Sequence, residues 1–169
     1  MPPTLINKLV ASGEARPDRF PALRQLIYSA APMPPAQIEA AQAAFGPRIA
    51  ALYGQVEAPM AITAMTASDM QPGLRLQSAG RPCPSTQVRI KDPGPDGTGA
   101  IQARGPLVAT RYLTGENFPL DEGWLDTGDR GSLDDEGFLH IRGRSREMII
   151  TGGFNIYPVE VERVLAGLA

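Results

Sequence analysis

Apolar positions change their spacing twice along this 169-residue chain. Leu5, Ile6, Leu9 and Val10 recur at helical intervals, and Gly13 supplies a stop. Leu23 to Tyr28 then reads as a short buried strand ending at Ser29-Ala30-Ala31-Pro32. Pro34-Pro35 opens a second helix, because a first turn has N–H groups without partners and proline has none to lose. Ile38, Ala41, Gln42 and Phe45 share one face of it, and Gly46-Pro47 ends it. Arg48 to Tyr53 is the next strand, ending at Gly54. Strand–helix–strand with short connections predicts two parallel neighbours and a right-handed crossover.

After about Thr66 the period shortens. Gln87 to Lys91, Ala100 to Arg104, Leu107 to Tyr112 and Phe138 to Arg142 alternate as strands do, and Asp92-Pro93-Gly94-Pro95-Asp96-Gly97 and Asp134-Asp135-Glu136-Gly137 are turn signals. A small antiparallel sheet or barrel is expected. From Pro158 the period lengthens again. Glu160 and Glu162 suit the positive end of a helix dipole, and Val161, Val164, Leu165 and Leu168 form an apolar stripe that needs a partner surface. The fold class expected is α/β. A strand–helix–strand piece of a parallel sheet (residues 1–66) precedes a small antiparallel, β-barrel-like subdomain (67–142), and the start of a C-terminal α/β domain (143–169) follows.

Composition restricts the chemistry. A hydrophobic fraction of 43% with 20% charge can bury a core. A net charge of -2 gives no overall basic field for nucleic acid. The chain has no apolar run of bilayer length, and Met1-Pro2-Pro3-Thr4 lacks the profile of a secretory signal, so a cytoplasmic location is expected. One cysteine, Cys83, excludes an internal disulfide, and one histidine, His140, nearly excludes histidine triads and multi-histidine metal sites. The only lysines are Lys8 and Lys91.

Four places carry candidate chemistry. Ligands of open parallel sheets gather outside the carboxyl ends of the strands, here Ser29-Ala30-Ala31-Pro32 and Tyr53-Gly54-Gln55-Val56-Glu57. Spacing alone leaves open that both are ordinary strand-to-loop turns. Trp124-Leu125-Asp126-Thr127-Gly128-Asp129 sets two carboxylates around a Thr-Gly turn, where one would accept both hydrogens of a ribose diol or simply close a hairpin. Arg144, after Gly143, offers a guanidinium to a phosphate or sugar oxygen, or to solvent. Glu57 is a hard ligand of the kind Mg²⁺ takes, or a surface acid.

These segments, in this order and approximate spacing, resemble the adenylate-forming superfamily of acyl-CoA synthetases, luciferases and peptide-synthetase adenylation domains. The resemblance runs from about Pro3 to the last residue. Ser29-Ala30-Ala31-Pro32 looks like the small-residue loop lining the adenine and acyl pocket. Tyr53-Gly54-Gln55-Val56-Glu57 is similar to the family's Tyr-Gly-x-Thr-Glu, which implies Tyr53 against adenine and Glu57 on Mg²⁺. Thr127-Gly128-Asp129 matches Thr-Gly-Asp, implying that Asp129 holds the ribose hydroxyls. Gly143 through Glu162 resembles the hinge motif. It implies a nucleotide contact for Arg144, a pivot at Glu147, and Gly152, Gly153 and Phe154 facing the CoA thiol. The implied reaction joins a carboxylic acid to ATP, releases pyrophosphate, and transfers the acyl group from AMP to CoA. The Gly-Gly-Phe-Asn-Ile-Tyr-Pro wording favours a fatty or aryl acid over an amino acid.

The departures matter as much. The family's phosphate-gripping loop is expected upstream of Met1 and its catalytic lysine downstream of Ala169. Val56 has no hydroxyl where the motif has Thr, Ala100 and Arg111 replace an expected Glu and Gly, and Glu147 replaces the commoner Asp. Electrostatic stabilisation of the phosphoryl group is the largest catalytic contribution in such chemistry. The chain is therefore expected to be a fragment with little ligase activity by itself. The alternatives are a non-catalytic adenylate-binding module and a piece of a peptide-synthetase domain. The latter's usual run after the hinge Gly-Arg is absent.

Overall fold

A computed structural model describes residues 1–70, 73–151 and 154–166. Helix α1 (Pro3–Ala11) ends near Gly13, whose φ of +71° suits the left-handed stop. Strand β1 (Leu26–Tyr28), helix α2 (Pro35–Phe45) and strand β2 (Ile49–Gln55) form the expected parallel unit, with Tyr28 opposite Ala51. Ile38, Ala41 and Phe45 of α2 are buried with Ile6 of α1 and Tyr28, Ile49 and Ala51 of the strands. Truncating the fully buried Ile38 to Ala would cost roughly 2–5 kcal/mol, the range for an unfilled core cavity.

Strand β3 (Ala58–Met65) returns antiparallel to β2, and β4 (Arg81–Pro82) completes a sheet of order β1-β2-β3-β4. A second sheet, wholly antiparallel, runs β5 (Gln87–Lys91), β6 (Gly99–Arg104), β7 (Leu125–Leu133) and β8 (Leu139–Arg144). A second core of Ala58 and Ile62 with Ala103, Val108 and Leu125 joins the two sheets. The chain between them is sewn to both. Thr63 Oγ1 donates to the Ala79 carbonyl at 2.6 Å, and the Leu139 N–H donates to the Gly80 carbonyl at 2.9 Å. Gly80 is required there. Its φ is +90°, and a Cβ would stand 2.1 Å from the Ala64 carbonyl oxygen.

Past β8, a short 3-10 turn (Ser145–Glu147) leads to the hairpin β9 (Ile149–Thr151) and β10 (Phe154–Ile156), then to α3 (Pro158–Ala166). Val161, Val164 and Leu165 of its apolar stripe are exposed, and Leu168 lies outside the described residues. No helix among the described residues is long and apolar enough to cross a membrane.

Four expectations need correction. The first strand begins at Leu26, not Leu23. Leu107 to Tyr112 is a turn and loop with one bridge, Arg111 to Asn117, because Val108 alone of its apolar residues turns into the core while Leu107 and Tyr112 stay exposed. The second sheet is open: no β5–β8 pairing closes it among the described residues. Finally, Leu125 to Asp129 belongs to a nine-residue strand and not to a turn. Its Thr-Gly pair makes a bulge inside that strand.

Candidate functional site

That bulge builds the site. Ala100 pairs with Arg130 and Gln102 with Asp126, so Ile101 alone faces Thr127, Gly128 and Asp129. Gly128 takes a φ of +71° and its N–H donates to Asp126 Oδ1 at 2.8 Å. Thr127 Oγ1 donates to the Ile101 carbonyl at 2.8 Å and accepts from the Asp129 N–H at 3.2 Å. Extra residues in one strand re-aim the side chains around them. Here they turn Asp129 out of the second sheet toward the first.

What it meets is the end of β2. The Tyr53 hydroxyl donates to Asp129 Oδ2 at 2.6 Å, and Gln55 Nε2 donates to the same oxygen at 2.9 Å and to the Thr127 carbonyl at 2.8 Å. Residues two apart on a strand point to one side, which is why Tyr53 and Gln55 arrive together. On the other oxygen, Arg144 Nε lies 3.3 Å from Oδ1, across the β7–β8 pair that sets Asp129 opposite Arg144. Asp129 is buried, 6% exposed, whereas the Arg144 side chain is 44% exposed. Burial, and then the bond to Asp129, raise the Tyr53 phenol far above its ordinary range, so it remains a donor at neutral pH. The result is a buried carboxylate fixed by two neutral donors, with one exposed cation at its outer oxygen. Such a group can trade the cation for the hydroxyls of an incoming ligand.

Tyr53 and Gln55 lie within β2, not beyond its end, and only Val56 and Glu57 form the turn into β3. Val56 is 91% exposed. Glu57 is half-buried, and its carbonyl accepts the Ala109 N–H at 2.7 Å. No group of three or more His, Cys, Asp or Glu that would cage a metal occurs among the described residues. Glu57 can thus offer a cation one carboxylate, with phosphate and water to complete the shell.

Ser29 to Pro32 leave β1 one strand away from Tyr53 and at the same end of the sheet. Ala30 there takes a φ of +76°, uncommon for a residue with a Cβ. Glu147 closes the 3-10 turn after Arg144. Gly152 and Gly153 lie outside the described residues, and Phe154 opens β10. Sequence reasoning singled out Asp129 but not Thr127, Arg130 or Tyr157. Thr127 stood in the same motif and Tyr157 in the Gly-Gly-Phe-Asn-Ile-Tyr-Pro run; Arg130 carried no local signal.

The family model described as AMP-binding enzyme matches residues 1–113. The chain belongs to the AMP-binding enzyme family. It is 37% identical over 175 aligned residues to a medium/long-chain-fatty-acid–CoA ligase of Mycobacterium tuberculosis, covering 97% of this chain and 30% of the relative. A 2-succinylbenzoate–CoA ligase of Bacillus cereus is 36% identical over 152 residues, covering 86% of this chain and 31% of the relative. Among solved structures, the o-succinylbenzoate CoA synthetase of Bacillus subtilis in complex with its acyl-adenylate intermediate superposes with a TM-score of 0.83 at 32% identity, over 99% of this chain and 35% of that one. An amide bond synthetase from Marinactinospora thermotolerans gives a TM-score of 0.85 at 29% identity, over 99% and 35%. The chain therefore spans about a third of the length of the relatives it matches.

Proposed function

We propose that this chain is the nucleotide-facing part of an AMP-forming acid–thiol ligase. The enzyme would activate a fatty or aryl carboxylic acid with ATP, form an acyl-adenylate with release of pyrophosphate, and pass the acyl group to CoA. The observation that carries the reading is the buried Asp129 carboxylate, pinned at Oδ2 by Tyr53 and Gln55 and covered at Oδ1 by the exposed Arg144. Ribose hydroxyls would take Oδ1, and Arg144 would turn to ribose or phosphate. The Tyr53 ring, with Gly54 and the backbone of Ser29, Ala30, Ala31 and Pro32, would flank adenine. Gln55 would keep Asp129 aligned. Val56 would face the α-phosphate without a donor, and Glu57 would hold Mg²⁺, which supplies charge neutralisation of the phosphates when bound. Glu147 would be the pivot of a hinge, with Gly152, Gly153 and Phe154 beyond it facing the CoA thiol. The three parts would be residues 1–66, 67–142 and 143–169, and β4, paired with β3, would strap the second part to the first.

Neither lysine stands ready for catalysis. Lys8 sits on α1, and Lys91 Nζ is bound to Asp121 at 2.7 Å. The isolated chain is thus expected to bind adenylate and to turn over poorly. Calorimetry with AMP and an acyl-adenylate analogue tests the first half: saturable heat that vanishes in Asp129→Ala supports it, and none in the parent chain sinks it. ATP–pyrophosphate exchange with a panel of acids tests the second. Robust exchange would show that this chain suffices for adenylation, while binding without exchange is also what an adenylate-binding module would give.

A further inference from the structure

Tyr157 stands just before α3, yet its side chain is buried, 6% exposed, on the β7–β8 pair. Its hydroxyl accepts a hydrogen bond from Arg130 Nε at 3.0 Å. Its ring covers Gly143 so closely that a Cβ there would stand 3.2 Å from the ring's Cδ1. Arg130 Nη2 also donates to the Thr98 carbonyl at 3.4 Å, which anchors the guanidinium from a second direction. Further along α3, Glu160 Oε1 lies 3.6 Å from Arg142 Nη1.

The partners of Tyr157 are the immediate neighbours of the nucleotide candidates. Arg130 follows Asp129, Gly143 precedes Arg144, and the two are paired across the strands just as Asp129 and Arg144 are. The ladder is irregular between Arg130 and Gly131, so its register at this point needs support from outside the sheet. A phenol wedged between Arg130 and the Gly143 backbone provides it. On the nucleotide reading of this site, we propose that Tyr157 is a positioning residue. It fixes the Arg144 backbone beside Asp129 and thereby couples docking of the α3 segment to occupancy of the site. Coupling of this kind is reciprocal: whatever favours docking favours the ligand by the same factor.

The test compares the parent chain with Tyr157→Phe, which keeps the ring over Gly143 but cannot accept from Arg130, and with Tyr157→Ala. Hydrogen–deuterium exchange in 156–166 should rise about 5-fold in the Phe variant and about 10-fold or more in the Ala variant, with exchange in β5, β6 and β7 unchanged. AMP affinity should fall by a similar factor in Tyr157→Ala and be partly restored in Tyr157→Phe, which loss of a remote structural contact would not produce. Trypsin should cut after Arg144 faster in Tyr157→Ala. Unchanged exchange in 156–166 overturns the proposal. So does unchanged AMP affinity in Tyr157→Ala when Asp129→Ala abolishes binding. Should the parent chain bind no AMP, the nucleotide reading and the coupling fall together. The positioning of Arg144 then rests on the tryptic rate alone: faster cutting upholds it, and an unchanged rate removes it.

Discussion

The stretch from the end of β2 into the turn after it does two different things within five residues. At Tyr53 and Gln55 it is locked: both side chains end on one buried carboxylate of the other sheet. At Val56 and Glu57 it is open, with Val56 almost fully exposed and Glu57 only half-buried in a turn. The locked end is finished by the fold alone, since both donors to Asp129 Oδ2 come from β2, a strand that the first core holds through Ile49 and Ala51. The open end offers its groups outward. A site divided in this way would recognise one part of a ligand rigidly and leave the rest to groups that come from elsewhere, such as a cation or further chain.

The sharpest way to break this contrast is Asp129→Ala. It strands the half-buried Tyr53 hydroxyl and leaves the Gln55 amide only the Thr127 carbonyl, which should cost about 1–3 kcal/mol in urea unfolding and lower AMP affinity on the order of 100-fold. A variant that keeps normal stability and binding would show that the locked end is packing and nothing more. Gly128→Ala comes next. A Cβ meets no neighbour there, but the φ of +71° should cost about 1 kcal/mol, and AMP affinity should fall further than stability because the bulge aims Asp129. Equal effects on both would leave the bulge without a role in aiming.

Alkaline unfolding measures the locked end by a different route. Burial holds the Tyr28 phenol up to about 12, and burial with the Asp129 bond holds Tyr53 well above its usual range. Both folded-state values exceed the unfolded one, so their contribution is complete below pH of about 10 and is lost as pH rises beyond it. Stability should therefore decline above that pH, and Tyr53→Phe should flatten the decline. An identical slope in the variant would mean that Tyr53 ionises as freely as in water. The smallest effects belong to the open end. Val56→Thr and Glu57→Gln should change stability by no more than about 0.5 kcal/mol. Glu57→Gln alone should remove the Mg²⁺ dependence of ATP binding, read by titration with and without the cation, and a retained dependence would move the metal elsewhere.

Much of the scaffold was legible before any coordinates. Ile38, Ala41 and Phe45 repeat at helical spacing and are buried as that spacing requires, and the Gln87–Lys91 and Ala100–Arg104 alternations became paired strands. The misreadings share a cause. Leu107 to Tyr112 alternates like a strand, but only Val108 found a core to enter, and a pattern without a second layer to bury it does not become a strand. Thr127-Gly128 reads locally as a turn, yet pairing with β6 on one side and β8 on the other carries a strand straight through it.

The sequence by itself determined which groups were available: one buried-type acid in a Thr-Gly-Asp run, a tyrosine and glutamine two apart, and a Gly-Arg pair, with a single histidine and two lysines to compete. Local spacing encodes helices and strands because neighbours along the chain share a backbone period. Only the tertiary structure decided that Tyr53 and Gln55 reach Asp129 from more than seventy residues away, and that Tyr157 closes behind Arg130 and Gly143. Those contacts depend on how two sheets and a hairpin pack against each other. Packing depends on summed volumes and registers over the whole chain, which no local period records.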